Sequence, residues 1–101
     1  MKKVIYTAVL GTLLFQTGLT AAADIQQGKE KAKLCFACHG QNGQAPLPQY
    51  PNLSGQSAQY LELALKGYKN GSRTDMMMAP MAKVLSDADI ANISAYFASI
   101  K

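Results

Sequence analysis

The chain has 101 residues, of which ten are basic and six are acidic, and its formal net charge is +4. It contains no internal repeat and no low-complexity linker, so length and composition indicate one small domain. The charge is too weak to indicate a nucleic-acid partner or an anionic membrane surface.

The first residues have the layout of a cleavable leader. Lys2 and Lys3 precede a mostly apolar, uncharged segment over 4–19, and three alanines follow at its end. A transmembrane anchor is the alternative, but about 16 apolar residues are short for a span of about 20. The pattern therefore predicts a signal peptide over residues 1–23 and a mature domain over 24–101.

Cleavage would remove two of the ten basic residues and leave eight against six acidic ones, a net charge of +2. The mature domain would have 78 residues, from 101 minus 23. A domain of this size buries little surface and often needs a disulfide, a metal or a cofactor to be stable.

One short motif contains both cysteines and the only histidine of the chain. Cys35, Cys38 and His39 form a Cys-x-x-Cys-His pattern, which is typical of covalent haem attachment. Its thiols can form thioether bonds to the haem vinyl groups, and its imidazole can coordinate the iron. The sequence therefore predicts one covalently bound haem, which would also supply part of the core.

The remainder of the chain predicts helices and loops. A first helix is expected over 24–34, a proline-containing loop over 44–56, and a second helix from its Ser57 cap to about Lys69. Residues 86–100 begin with a pattern resembling a capping box and predict a third helix. No segment alternates with a period of two for long enough to predict a strand, so the expected fold class is all-α.

Four methionines lie close together in the segment before the third helix. Pro80 argues against a helix through the centre of that segment. Exposed loops seldom contain so many methionines, which could fill irregular gaps in the core or supply a thioether to the second axial position of the iron. With a single histidine, two-histidine ligation cannot be built from this chain, and spacing alone does not choose among the four methionines. They are Met76, Met77, Met78 and Met81.

Three other functions use the same residues. A haem enzyme or gas sensor would need an open or displaceable sixth ligand. A thiol oxidoreductase would use Cys35 and Cys38, but it leaves His39 and the methionines without a role. A zinc site would have only three conventional ligands.

Taken together, these segments are similar to class I cytochromes c, in particular to the small bacterial c-553 type and to single halves of the dihaem c-4 type. The resemblance covers essentially the whole mature chain. Its matching segments are residues 35–40, 51–55, 73–81 with 85–87, and the terminal pieces 89–91 and 95–97.

The resemblance implies a class I cytochrome c fold, with three main helices and long loops around one covalently bound haem c. It implies that the Pro51 carbonyl holds His39 and that Met78 is the second axial ligand. The expected function is one-electron transfer in the periplasm, without enzymatic activity. Expected partners are redox proteins, such as a cytochrome complex, a dehydrogenase or a terminal oxidase. The chain would act as a monomer or as a subunit of a redox complex, with no transmembrane anchor after cleavage.

Overall fold

The computed structural model describes residues 2–5, 7, 8, 11 and 22–101. Most of the predicted signal peptide over 1–23 lies outside these residues. In the described part no helix has the length and apolar character needed to cross a membrane. This part contains five helices and no strand. The helices are α1 (Ile25–Lys31), α2 (Lys33–His39), α3 (Ala58–Asn70), α4 (Met78–Lys83) and α5 (Asp87–Ser99).

The predicted first helix is present but divided into two. The side chain of Asp24 caps α1 by accepting the Gln27 N–H at 3.0 Å. Ala32, which is fully buried, separates α1 from α2. The second piece contains the cysteine–histidine motif, whose own conformation the sequence did not predict.

The first helix, α1, crosses the last helix, α5, at close range. A Cβ atom added at Gly28 would lie 1.9 Å from the Asn92 carbonyl oxygen, so only glycine permits this approach. Beside it, the Asp24 backbone N–H donates to the Asn92 side chain at 2.8 Å. The crossing fixes α1, and with it the start of α2, against the terminal helix.

The caps predicted for α3 and α5 are confirmed. The Ser57 hydroxyl accepts the Tyr60 N–H at 3.1 Å. Ser86 and Asp89 form a reciprocal capping box, each side chain accepting the other's backbone N–H at 3.0 Å. Both helices therefore begin where their polar side chains replace missing intrahelical partners.

The expectation that Pro80 prevents a helix is wrong, because α4 includes it. Proline is the third residue of α4, and the first four N–H groups of a helix have no intrahelical acceptor in any case. Proline in this first turn therefore costs no hydrogen bond. The predicted loop over 44–56 is confirmed, since it contains neither helix nor strand.

The core lies between α1, α3 and α5. Its largest fully buried apolar side chains are Phe97 and Ile90, and Tyr96 packs against Phe97 with ring centroids 5.1 Å apart. The Tyr96 hydroxyl donates to the Gln41 carbonyl at 2.7 Å, which ties the loop after the motif to α5. The buried cluster comprises Ala32, Leu61, Leu85, Ile90, Ile93, Tyr96 and Phe97.

Candidate functional site

The helical conformation of α2 explains the spacing of the motif. Cys38 and His39 follow Cys35 by three and four positions, and residues at these spacings share one face of a helix. His39 is the last residue of α2 and is only 5% exposed. Gly40 then leaves the helix with φ of 82°, a conformation that other residues rarely adopt.

The imidazole of His39 is held by the backbone of the proline-containing loop. Its Nδ1 lies 2.8 Å from the Pro51 carbonyl oxygen. A carbonyl can only accept, so Nδ1 carries the proton and Nε2 keeps its lone pair. This is the arrangement expected of a histidine metal ligand, because the second-shell acceptor fixes both tautomer and ring orientation.

Hydrogen bonds within the loop hold Pro51 in position. The Gly43 carbonyl accepts the N–H groups of Leu53 at 2.8 Å and Ser54 at 3.1 Å. The Asn52 side chain accepts the Ala45 N–H at 2.7 Å. The acceptor for His39 therefore belongs to a closed, internally bonded loop.

A cavity opens beside His39 and is walled by α2, this loop, α3, α5 and the start of α4. Its empty space is about 770 Å³, including the part open to solvent. Cys35, His39, Pro51 and Met78 all line it, so four of the five predicted site residues meet at one cavity. Leu53, Leu61, Ala64, Leu65, Ile93 and Phe97 supply apolar walls.

Met78 enters the cavity from the first residue of α4. The Asp75 carboxylate accepts the N–H groups of Met77 and Met78, both at 2.8 Å. The bond from Met78, and then that from Met77, lowers the pKa of Asp75, so this carboxyl stays ionised at neutral pH. The turn that presents Met78 is therefore held by a side chain two to three residues earlier.

The other predicted site residues are placed differently. Cys38 is half-buried on α2 but is not among the cavity-lining residues. Nor are Met76, Met77 and Met81, whose side chains are 94%, 62% and 39% exposed. Of the four methionines that the sequence left open, only Met78 lines this cavity.

The cavity has a polar rim, and the sequence did not predict that these polar residues lie together. The Arg73 guanidinium lies 4.5 Å from the centroid of the Tyr68 ring, and both residues line the cavity. The Arg73 N–H donates to the Gly67 carbonyl at 3.0 Å, which anchors the residue after α3. Tyr60 and Tyr68 recur at helical spacing in the sequence, but nothing in that spacing separates a rim from ordinary core. The further polar rim residues are Asn52, Gln56 and Tyr60.

The thiol form of Cys35 is a poor nucleophile. Burial, followed by the nearby Cys38, raises the pKa of Cys35 to about 11. Dithiol oxidoreductases instead depend on a cysteine whose pKa is lowered toward neutrality. The environment therefore disfavours a thiol oxidoreductase.

Comparison with known proteins decides the family. Residues 25–101 match the family model described as cytochrome c. The chain belongs to the cytochrome c family. It is 51% identical over 81 residues to cytochrome c-554(548) of Halomonas halodenitrificans, covering 77% of this chain and 98% of that protein. It is 44% identical over 97 residues to cytochrome c4 of Pseudomonas aeruginosa, covering 92% of this chain and 48% of that protein.

Solved structures agree with this assignment. Reduced recombinant cytochrome c4 from Pseudomonas stutzeri matches with a TM-score of 0.74 and 39% identity, over 79% of this chain and 47% of that one. The chain thus spans about half the length of its cytochrome c4 relatives. The predicted class I cytochrome c fold is confirmed, as are the electron-carrier function and a covalently attached haem c.

The cavity of this chain fits such a haem. It offers a thiol, an imidazole with one free nitrogen and a thioether among apolar walls, with an arginine at its rim. It also contains one buried hydroxyl, that of Ser94, that has no hydrogen-bond partner among the described residues.

Proposed function

We propose that this cytochrome c is a periplasmic one-electron carrier whose iron is held by His39 and Met78. The observation that carries the proposal is that these two side chains line the same cavity, with His39 already oriented by Pro51. We further propose that residues 1–23 are a signal peptide and that 24–101 form the mature cytochrome c domain.

Each residue of the site has a distinct role in this proposal. Cys35 and Cys38 hold the haem through thioether bonds, with Cys38 reached from the same face of α2. His39 and Met78 would hold the iron. The Pro51 carbonyl keeps the proton on Nδ1, so that Nε2 remains the ligand atom throughout. When bound, the haem supplies the one-electron chemistry.

The apolar walls set the conditions for electron transfer. They exclude water from the site, and a dry site disfavours the extra positive charge of the oxidised iron. A methionine ligand also raises the reduction potential relative to histidine or thiolate ligation. If His39 and Met78 both hold the iron, small molecules such as oxygen would find no open coordination position, which favours a carrier over a haem enzyme or gas sensor.

The positions of the polar and apolar lining residues indicate how a haem would be oriented in the cavity. Among the lining residues, Cys35 is a proposed attachment residue and Phe97 is apolar. Arg73, Tyr68 and Gln56 instead offer hydrogen-bond donors. A haem has two vinyl groups and two propionates, so we propose that the propionates lie toward Arg73. The stack on Tyr68 limits the motion of the guanidinium before any ligand is bound.

The proposed partners are redox proteins that donate and accept single electrons. Two relatives that match over part of their length are named thiosulfate dehydrogenase electron acceptor, from Thiomonas intermedia and Stutzerimonas stutzeri. A dehydrogenase, a cytochrome complex or a terminal oxidase would suit this carrier equally. Such encounters generally use small, short-lived interfaces.

The visible spectrum of the haem-loaded protein tests the proposed ligation. We expect low-spin bands, together with a weak far-red band in the ferric state that arises from methionine–iron charge transfer. Met78→Ala should abolish the far-red band, because alanine has no sulfur to coordinate iron. Met76→Leu is the matched control and should keep it, since Met76 is almost fully exposed.

Three results would contradict the proposal. A high-spin spectrum, or rapid carbon monoxide binding by the reduced protein, would show an open iron position and favour an enzyme or sensor. Survival of the far-red band in Met78→Ala would assign the ligand to another methionine.

A further inference from the structure

Three methionines of the crowded segment have no role in the cavity. Met76, Met77 and Met81 are 94%, 62% and 39% exposed, so they do not fill gaps in the core. Solvent-exposed apolar side chains lose the benefit of burial, and polar residues would serve equally well at such positions. Their sulfur atoms are the feature that distinguishes them from ordinary surface residues.

Met77 and Met81 lie one helical turn apart. Met77 is the N-cap of α4, with helical φ of −91° and ψ of −48°, and Met81 is the fourth residue of that helix. Side chains four positions apart on a helix share a face, with Cβ atoms about 5–6 Å apart. Methionine has three rotatable side-chain bonds, so both thioethers can turn toward one point above the helix.

The chemistry of two thioether sulfurs determines which metal ion such a site would bind. Thioether sulfur is soft and neutral, binds without losing a proton, and favours Cu(I) over hard cations such as magnesium and calcium. Zinc prefers thiolate, imidazole and carboxylate ligands, none of which this face of α4 supplies.

The local charge also suits a monovalent cation. The Asp75 carboxylate accepts the Met78 and Met77 N–H groups, both at 2.8 Å, which fixes its position two residues before Met77. Lys83 is the cation within α4, but it follows Met81 by two positions, and residues at that spacing do not face each other. The pair therefore has a fixed anion nearby and no cation on its own face of α4.

We propose that Met77 and Met81 form a surface site for Cu(I), separate from the haem cavity that Met78 lines. The site would bind one monovalent copper ion through two thioether sulfurs and would not require any change in the haem iron. It goes beyond the electron-carrier function and needs only that Met77 and Met81 are free of the iron.

The test uses the haem-loaded protein, kept reduced and free of oxygen so that neither the copper nor the iron changes oxidation state. Cu(I) is titrated in competition with a chromogenic Cu(I) chelator, and Ag(I) is titrated as a soft monovalent ion that does not change oxidation state. We expect one Cu(I) per chain. Met77→Leu and Met81→Leu should each weaken binding at least about tenfold, because each removes one of two donors.

Met76→Leu is the matched control. It removes a neighbouring thioether that is more exposed and lies in the turn before α4, outside the helical pair, so affinity should change less than about twofold. Equal losses in all three variants would overturn the assignment to the α4 pair. Unchanged affinity in the Met77→Leu/Met81→Leu double variant would exclude the site.

The far-red ferric band separates this proposal from the proposed ligation. Both single variants should keep the band, since it depends on Met78. Loss of the band in Met77→Leu or Met81→Leu would identify that methionine as an iron ligand and overturn the copper site. Loss of copper affinity with the band intact supports it, whatever the identity of the redox partner.

Discussion

At the scale of single residues, Arg73 is the charged group best placed to influence the cavity. Its guanidinium stacks on Tyr68 at the rim and has no carboxylate within 4.0 Å in the described chain. A positive charge beside a redox centre favours the electron-rich, reduced state.

Replacing Arg73 with Gln should therefore lower the reduction potential. We expect a change of about 20–40 mV at low ionic strength, equal to about a two- to fivefold lower ratio of reduced to oxidised protein. Added salt should shrink the difference, because it screens an exposed charge. Spectroscopic redox titration measures the effect, with Arg73→Lys as the charge-conserving control. Identical potentials for the Arg73→Gln variant and the wild-type protein at low salt would mean that the guanidinium does not act on the haem.

At the scale of secondary-structure elements, the sequence predicted where helices begin better than where they are interrupted. Ser57 and Ser86 mark the starts of α3 and α5 because capping depends on side chains within a few residues. The division falls at Ala32, a fully buried residue of a type that favours helix, so no local signal in the sequence marks it. The prediction for Pro80 was wrong because its effect depends on its position within a helix. The start of α4 is not marked by a polar N-cap residue, since Met77 occupies that position and Asp75 holds the turn from two residues earlier.

The capping box of α5 should make stability depend on pH. The bond from the Ser86 N–H is the main cause of the lowered pKa of Asp89. Burial opposes it by raising the pKa, and the Ser86 hydroxyl and Lys31 lower the pKa further. A carboxyl whose folded pKa is lowered stabilises the folded state above its unfolded value of about 3.9. That stability is lost as pH falls through the lower, folded pKa.

Asp89→Asn should therefore reduce the difference in unfolding free energy between pH 7 and pH 3. Urea denaturation of the haem-loaded protein at the two pH values measures it. Asp87→Asn is the control, since its carboxylate is 88% exposed and touches only Lys69, at 4.0 Å. A pH dependence that is the same in Asp89→Asn as in wild-type protein would contradict this role of the box.

At the scale of the whole molecule, the sequence predicted the haem-attachment motif more completely than the contacts that form the cavity around it. Cys35, Cys38 and His39 lie within five residues of one another, so the motif could be recognised from local sequence, and the helical conformation of α2 then places them together. The contact of His39 with Pro51 joins residues 12 positions apart and came only from the family resemblance. The stack of Arg73 on Tyr68 depends on how the chain leaves α3, and no local pattern encodes that geometry.

At this scale we also expect the haem to be a structural component of the folded protein. The buried apolar cluster has seven residues, and α3 and the loop over 44–56 both contribute residues to the cavity wall. Without a haem these walls would border water, and a small domain has little stability to spare. We therefore expect the Cys35→Ala/Cys38→Ala double variant, which cannot form either thioether, to lose most of its helical structure.

Far-ultraviolet circular dichroism and the width of the thermal transition would measure this loss. Ser99→Ala is a suitable control, because it changes an exposed α5 hydroxyl that bonds only to the Tyr96 carbonyl. It should retain a cooperative transition within about 1 kcal/mol of wild-type stability. If the haem-free double variant instead remains compact and unfolds cooperatively, then the protein core is sufficient by itself, and the haem serves electron transfer alone.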